Sequence, residues 1–520
     1  MPTRLLVIGL DAFDRQLVTA WADDGTLPTL RRLLRSGVSC PIENGPGLYA
    51  GTAWVSLNTG VGAGRHRRFF RRQARAGEYV DGEFLPESIA VRPFWEQLSA
   101  AGLRVAIIDA PMTAPAVALN GIHLVDWSTH EPNFERARSQ PPRLVDELAE
   151  RFGTPVPDRC DGVEQTATAF RAFNARLATR IAGKTRLIRD LLDRESWDLF
   201  FATYGEAHCA GHQGWHLHDP THPQHDVALR AAVGDPLRAT YVALDAALAE
   251  LVDAAGPTTP VLVVSSHGMG PFYGEAVLME EILRRIEGGR HASGFLYGFL
   301  KRAWYRFPPG LRASALLRTV KASAAPTLHN EVLVRDRRRR RFFALPYNPH
   351  SSAIRINLAG REPDGLVADG AEYRAVCDEL RREMLALRDA DSGAPVVAEV
   401  VLARDAFAGP YLDELPDVIV EWARTAPVRR IASPRVGVLE VPELPGRTGD
   451  HWAQGFAVAL GPHASAGEVG QRVSIVDIAP TICAVLGEAL PLSDGAAVPS
   501  LTAALRQAGA HDSNSSYASR

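Results

Sequence analysis

The chain has 520 residues, of which 46% are apolar and 22% charged, and its formal net charge is -3. That balance fits a soluble globular protein of one to three domains with a large core, and it gives no sign of general nucleic-acid binding. Five scattered cysteines (Cys40, Cys160, Cys209, Cys377, Cys483) suggest neither a disulfide framework nor a Cys-x-x-Cys metal site, so a reducing, cytoplasmic setting is expected.

The run Arg4 to Leu10 reads as a buried parallel strand ending in Asp11. It is too short for a signal peptide or a membrane span, so no membrane association is expected. Ligands of open α/β sheets gather at the carboxyl ends of strands, where Asp11 is placed to bind a metal; N-capping is its other reading, and Asp14 competes for that role. The segment from Thr26 to Gly37 predicts a helix with a glycine stop. Small residues from Ala50 to Gly60, then Gly64-Arg65-His66, form a turn feeding a helix, which offers N–H groups and hydroxyls to an anion. Leu103 to Asp109 predicts a second buried strand, and Glu131 to Arg194 is mostly helical.

Trp197 to Thr203 predicts a third buried strand, which delivers Glu206-Ala-His-Cys-Ala-Gly-His-Gln-Gly-Trp-His-Leu-His218. If that segment is helical, His208, His212 and His216 project from one face, and two imidazoles a turn apart can grip one divalent cation. His216 and His218 are equally well read as surface or lid groups, Trp215 as packing, and Cys209 as pointing off the His208/His212 face. Pro260 to Met269 is a further strand carrying His267. Residues 278–345 form an expected inserted helical cap. Its run Arg335 to Arg341 is read as a solvated face, or else as a basic rim attracting an anion. Ser352 to Leu358 resumes the sheet, Asp417 to Trp422 adds a strand, a polar glycine loop carries Asp450 and His451, and Gly455 to Gly461 closes the sheet. The expected architecture is α/β, a mainly parallel sheet with helices on both faces. Its core spans 1–277 and 346–506, and a disordered tail covers 507–520.

In this order, the motifs resemble the alkaline phosphatase superfamily, in particular its type I phosphodiesterase/nucleotide pyrophosphatase branch. The resemblance rests on Val7-Ile-Gly-Leu-Asp11, Ala53-Trp54 to Gly60, Gly64-Arg-His66, the His208/His212 strip, and Ser265-Ser-His-Gly-Met269. It continues through Arg355 to Pro363, Pro416 to Trp422, Gly449-Asp-His451 and Val476 to Thr481. It implies a two-metal site, with His208, His212 and His451 in one subsite and Asp11, a hydroxyl near residues 50–52, Ser266 and His267 in the other. Three departures stand out. The nucleophile position falls on Ala50, leaving Thr52 as the nearest hydroxyl and Tyr49 as a poorer one. Ser266 replaces an aspartate. His208 replaces a carboxylate, for which Glu206 is close enough to substitute.

The reading is a metal-dependent phosphoester hydrolase, of phosphodiester or nucleotide pyrophosphate type. It would use a metal-activated water or Thr52, with Asp11 and His267 handling protons and Arg65 and His66 holding a small anionic substrate. One or two divalent ions are expected, zinc first and manganese second; a homo-oligomer is compatible with the sequence. The alternatives are sulfate, phosphonate or specialised-metabolite chemistry on the same fold, or a binding protein that lost the nucleophile. Asn357, Arg361 and Glu362 are expected to brace the core or the lid junction, and Asp450 to form a turn or support a ligand.

Overall fold

The computed structural model describes residues 4–49, 51–75, 77–129, 132–154, 165–288, 325–347, 350–442, 447–462 and 464–506. Ala50, Cys160, most of the expected cap (289–324) and the tail (507–520) lie outside them. The chain divides into two units: Met1–Arg68, Leu85–Phe272 and Leu444–Arg520 form the first, Phe69–Phe84 and Tyr273–Glu443 the second.

The first unit is built on β1 (Leu5–Leu10), all six of whose residues are buried. Its side chains alternate between two apolar clusters. Leu6, Ile8 and Leu10 enter one, with residues of the helices Ala167–Arg194 and Pro236–Ala255; Leu5 and Val7 enter the other, with Trp54 and Ile482. A strand covered on both faces reads as a continuous apolar run, which is why Leu5 to Leu10 was legible. The other strands of this unit are β2 (Val38–Glu43), β3 (Val105–Ile108), β4 (Gly121–Val125), β5 (Arg138–Gln140), β6 (Leu199–Tyr204), β7 (Val261–Ser265), β8 (Gly268–Pro271), β9 (Gly449–Trp452), β10 (Gly455–Leu460), β11 (Gly467–Glu468) and β12 (Val473–Ser474). The main sheet runs β11-β2-β10-β7-β1-β6-β3-β4-β5, with β12 also on β2. β7, β1, β6, β3 and β4 are parallel neighbours; β10 and β5 are antiparallel to theirs. Register sets Leu10 beside Tyr204 and Gly9 beside Val264, so the carboxyl ends of β6, β1 and β7 open on one edge. β8 and β9 form a separate antiparallel ribbon.

The second unit corrects part of the sequence reading. Ser351–Ile356 and Val418–Trp422 do not rejoin the main sheet. They pair antiparallel with Phe342–Leu345 and Val397–Leu402 in a four-stranded sheet of their own. Alternating hydrophobicity reports a half-buried strand but not its partner. Asn357, Arg361 and Glu362 are buried or nearly so within this unit, Arg361 pairing with Asp417 at 2.7 Å. In the arginine run, Arg335, Arg338 and Arg339 are exposed, as a solvated face requires, and four of its members are ion-paired. Arg337 meets Asp81 at 3.0 Å, Arg338 meets Asp364, Arg340 meets Glu287, and Arg341 meets Glu379. No described helix is long and apolar enough to cross a membrane.

Candidate metal centre

The strand β6 ends at Tyr204, and the chain turns through Gly205 into α3 (Glu206–His218), with α1 (Gly51–Thr59) and α2 (Ala167–Arg194) before it in the chain. Helical spacing puts His208 and His212 on one face, their ring centroids 4.3 Å apart. The third imidazole is supplied by the ribbon. Met269 pairs with His451, so the segment just past His267 carries residue 451 to the same edge.

The Nε2 atoms of His208, His212 and His451 converge at 3.2, 3.2 and 2.8 Å. Three nitrogens on a tetrahedral zinc, each about 2.0–2.1 Å from it, stand roughly 3.3 Å apart, so this donor set fits one cation. The tautomer of His212 is fixed by its other nitrogen. Nδ1 lies 2.7 Å from the Gly449 carbonyl, which only accepts, so Nδ1 carries the proton and Nε2 offers a lone pair. Burial, then the adjacent His267 and His212, hold His451 well below the usual imidazole pKa, which keeps it neutral. Asp450, fully buried, accepts from the His451 backbone N–H at 2.8 Å.

The ribbon and α3 are held very close. Thr448 donates its backbone N–H to the His212 carbonyl at 2.8 Å and lies 3.0 Å from His216 Nδ1. His216 is therefore a buried strut, not the surface group expected, and His218 pairs with Asp235 at 2.8 Å. Trp215 and Cys209 belong to the apolar core.

Asp11 and His267 stand beside the imidazole trio. The ring centroids of His267 and His451 are 4.7 Å apart, and His267 Nε2 lies 3.7 Å from Asp11 Oδ1. Trp54 on α1 donates its indole N–H to Asp11 at 2.6 Å, and the Ser266 hydroxyl lies 2.8 Å from His267 Nδ1. Thr52 is buried in the first turn of α1, two residues before Trp54. Of the two candidates for the carboxylate position, His208 joins the trio. Glu206 instead faces Arg180 at 3.4 Å, in a buried network where Lys184 pairs with Asp109 at 2.7 Å.

The expected substrate-binding pair is engaged elsewhere. Arg65 pairs with Asp494 at 2.7 Å. His66 is fully buried, 3.0 Å from the Ser56 hydroxyl, and burial pushes its pKa down to about 3. Arg447, to which the sequence alone assigned no role, brings a guanidinium to the centre. Its Nη2 lies 3.0 Å from His212 Nε2 and 3.1 Å from Asp450 Oδ1. The available signal was a cation four residues before His451 in the same polar loop.

Residues 5–426 match the family described as type I phosphodiesterase / nucleotide pyrophosphatase. Among solved structures, phosphonoacetate hydrolase from Sinorhizobium meliloti 1021, in complex with phosphonoacetate, is 14% identical over 92% of this chain and 94% of that one, with a TM-score of 0.52. Murine ectonucleotide pyrophosphatase / phosphodiesterase 5 is 12% identical over 95% and 98%, with a TM-score of 0.48. The likeness to phosphonoacetate hydrolase shows a shared fold. No curated protein matches the chain.

Proposed function

The chain belongs to the type I phosphodiesterase/nucleotide pyrophosphatase family and is a phosphoester hydrolase of a divalent-metal-dependent kind; from that premise we propose that it works with one cation, zinc, on His208, His212 and His451. The observation that carries this is the convergence of three Nε2 atoms within 3.2 Å, with the His212 tautomer set by Gly449. Neutral imidazoles balance less cationic charge than carboxylates do, Ala50 offers no side-chain oxygen, and Ser266 offers a neutral hydroxyl in place of a carboxylate, which favours one ion over two. A zinc ion on three histidines with an open position supplies Lewis acidity and lowers the pKa of a water to about 7.

The protein's own groups divide the remaining work. Asp11, fixed by the Trp54 indole, and His267, oriented by Ser266, are the proton-handling pair beside the trio. Ala50 has no hydroxyl, so a covalent intermediate at that position is excluded. Thr52 is the alternative nucleophile. A phosphodiester is the favoured substrate class. A cytoplasmic location belongs to the same proposal, supported by the free buried thiols Cys40, Cys209, Cys377 and Cys483.

The test is zinc titration and turnover of bis(4-nitrophenyl) phosphate by wild type and by His212→Ala, His451→Ala, Asp11→Asn and Thr52→Val variants. The expected outcome is one zinc per chain, loss of tight zinc binding in both histidine variants, at least a hundredfold loss of turnover in Asp11→Asn, and near-normal turnover in Thr52→Val. Full activity of His212→Ala and Asp11→Asn would sink the proposal. Ala50 and Ser266 also favour a second reading, a binding protein that keeps the fold without turnover; stoichiometric zinc with no hydrolysis across diester, monoester, sulfate and phosphonate substrates would select it.

A further inference from the structure

The strand β2 ends at Glu43, and the residue after it reaches along the edge of the sheet, past β10 to β7. The Asn44 side-chain amide donates to the Ser266 carbonyl at 2.7 Å and to the Ala453 carbonyl at 2.6 Å. An amide nitrogen carries two hydrogens, and these acceptors take both. A flipped amide would set an oxygen against two carbonyls, so the nitrogen is assigned. Oδ1 is buried and has no hydrogen-bond partner among the described residues. A buried oxygen of that kind is destabilising, so what this side chain supplies is two directed donors.

The two acceptors lie on segments that carry residues of the centre. Ser266 precedes His267, and its hydroxyl lies 2.8 Å from His267 Nδ1. Ala453 follows β9, just after His451 and Trp452. A Cβ on Gly455 would stand 2.2 Å from the Ser265 carbonyl oxygen and 2.8 Å from that of Ser266, so the backbones here are in direct contact. The two segments are anchored differently. The one carrying His451 is bonded to α3 through Thr448 and His212, and paired with β8 through Met269. Ser266 and His267 lie in neither β7 nor β8. The Ser265 hydroxyl holds one carbonyl of that turn, donating to His267 at 2.8 Å; Asn44 holds the other, that of Ser266.

Resting on the reading of His267 given above, we propose that Asn44 is a positioning residue for hydrolysis: its amide ties the turn at Ser266 to Ala453 and so holds the His267 ring against the metal centre. Asn44 acts through Ser266 and His267, whose ring centroid stands 4.7 Å from that of His451. Proton transfer needs heavy atoms within about 2.6–3.2 Å, a range that a turn released on one side readily exceeds. Leucine and aspartate match asparagine in size but bring no pair of N–H donors. Loss of the amide therefore leaves the three Nε2 atoms in place and loosens His267, so metal binding survives while turnover falls.

The test compares the full chain as wild type, Asn44→Leu, His267→Ala and the double variant, on bis(4-nitrophenyl) phosphate with zinc supplied. Asn44→Asp, of the same shape without the donors, serves the same comparison should Asn44→Leu fail to fold. Asn44→Leu should lower kcat at least tenfold, with KM and zinc affinity each changed less than threefold, the latter read by competition with a chromophoric chelator. In metal-free protein, hydrogen exchange of the peptide spanning 265–269 should speed at least fivefold, while that spanning 449–452 stays as in wild type. On the His267→Ala background the same substitution should change residual kcat less than twofold, because two residues acting through one group are not additive. An equal fall of kcat on both backgrounds, wild-type kcat in Asn44→Leu, or unchanged exchange at 265–269 overturns this inference alone. Full activity of His267→Ala overturns the reading of His267, and this inference with it.

Discussion

Asp14 and two enclosed histidines carry opposite proton linkages. His66 and His123 are fully buried, and burial pushes both pKa values down to about 3 from 6.5. The unfolded chain therefore binds more protons than the folded one between those values, and acidification removes stability, up to about 1.4 kcal/mol per pH unit for each ring. Asp14 is the reverse case. Desolvation raises its pKa to about 6 from 3.8, against backbone N–H bonds from Gln16 and Leu17 that favour the anion. Its charged form is penalised, so it lowers stability above pH 6, and that penalty fades as the pH falls toward 3.8. An asparagine there can still cap the helix Arg15–Asp23 without the charge. Asp14→Asn should gain on the order of 2 kcal/mol in urea unfolding at pH 8, with the gain vanishing near pH 4. A gain of equal size at both pH values would show that desolvation of the carboxylate is not its origin.

The ribbon β8–β9 and the helix α3 make the centre jointly, and their spacing depends on having no side chain at residue 449. A Cβ on Gly449 would stand 2.3 Å from the Gly211 carbonyl oxygen and 2.9 Å from the Trp215 Cβ. The backbone of α3 cannot yield as a flexible side chain would, so Gly449→Ala must push the ribbon away. That displacement moves His451 and breaks the bond that sets the His212 tautomer. Zinc affinity should fall at least tenfold, with melting lowered by several degrees; coordination tolerates only a few tenths of an ångström. Gly470→Ala is the control, because nothing lies within 4 Å of a Cβ there. Unchanged zinc affinity in Gly449→Ala would mean that the ribbon does not position His451. A related brace spans the neighbouring strand ends. Lys184 on α2 donates to the Thr203 and Ser128 carbonyls while pairing with Asp109, joining the ends of β3 and β6 to the segment after β4. Buried pairs of this kind fix an arrangement more reliably than they add stability.

At the scale of the molecule, each unit has its own apolar core and its own sheet, and all the residues of the centre belong to the first. A cation bound there stabilises the folded state by mass action, with about 2.7 kcal/mol at a hundredfold excess over Kd. Removing it with a chelator should lower the melting temperature of wild-type protein by about 2–4 °C. The same treatment should leave His451→Ala unmoved, as scanning fluorimetry can show. A chelator-induced fall of equal size in both proteins would place the stabilising ion elsewhere.

Much of this was legible in the residues alone. Buried strands declare themselves within six positions, and the turn of a helix is fixed, so β1, β6, β7 and the His208/His212 pair could be read locally. The order of motifs along the chain then named the family and drew His451 and Asp11 into one hypothesis. Tertiary structure decided the rest. His212 and His451 lie 239 residues apart, and only the pairing of Met269 with His451 brings their nitrogens to 3.2 Å. The same long-range packing engaged Arg65 and His66 elsewhere, set Arg447 on the centre, and gave Ser351–Ile356 a sheet of its own. Periodicity is a property of neighbours along the chain and can reveal which face a side chain occupies. What lies across that face depends on the free energy of the whole fold, which no local window contains.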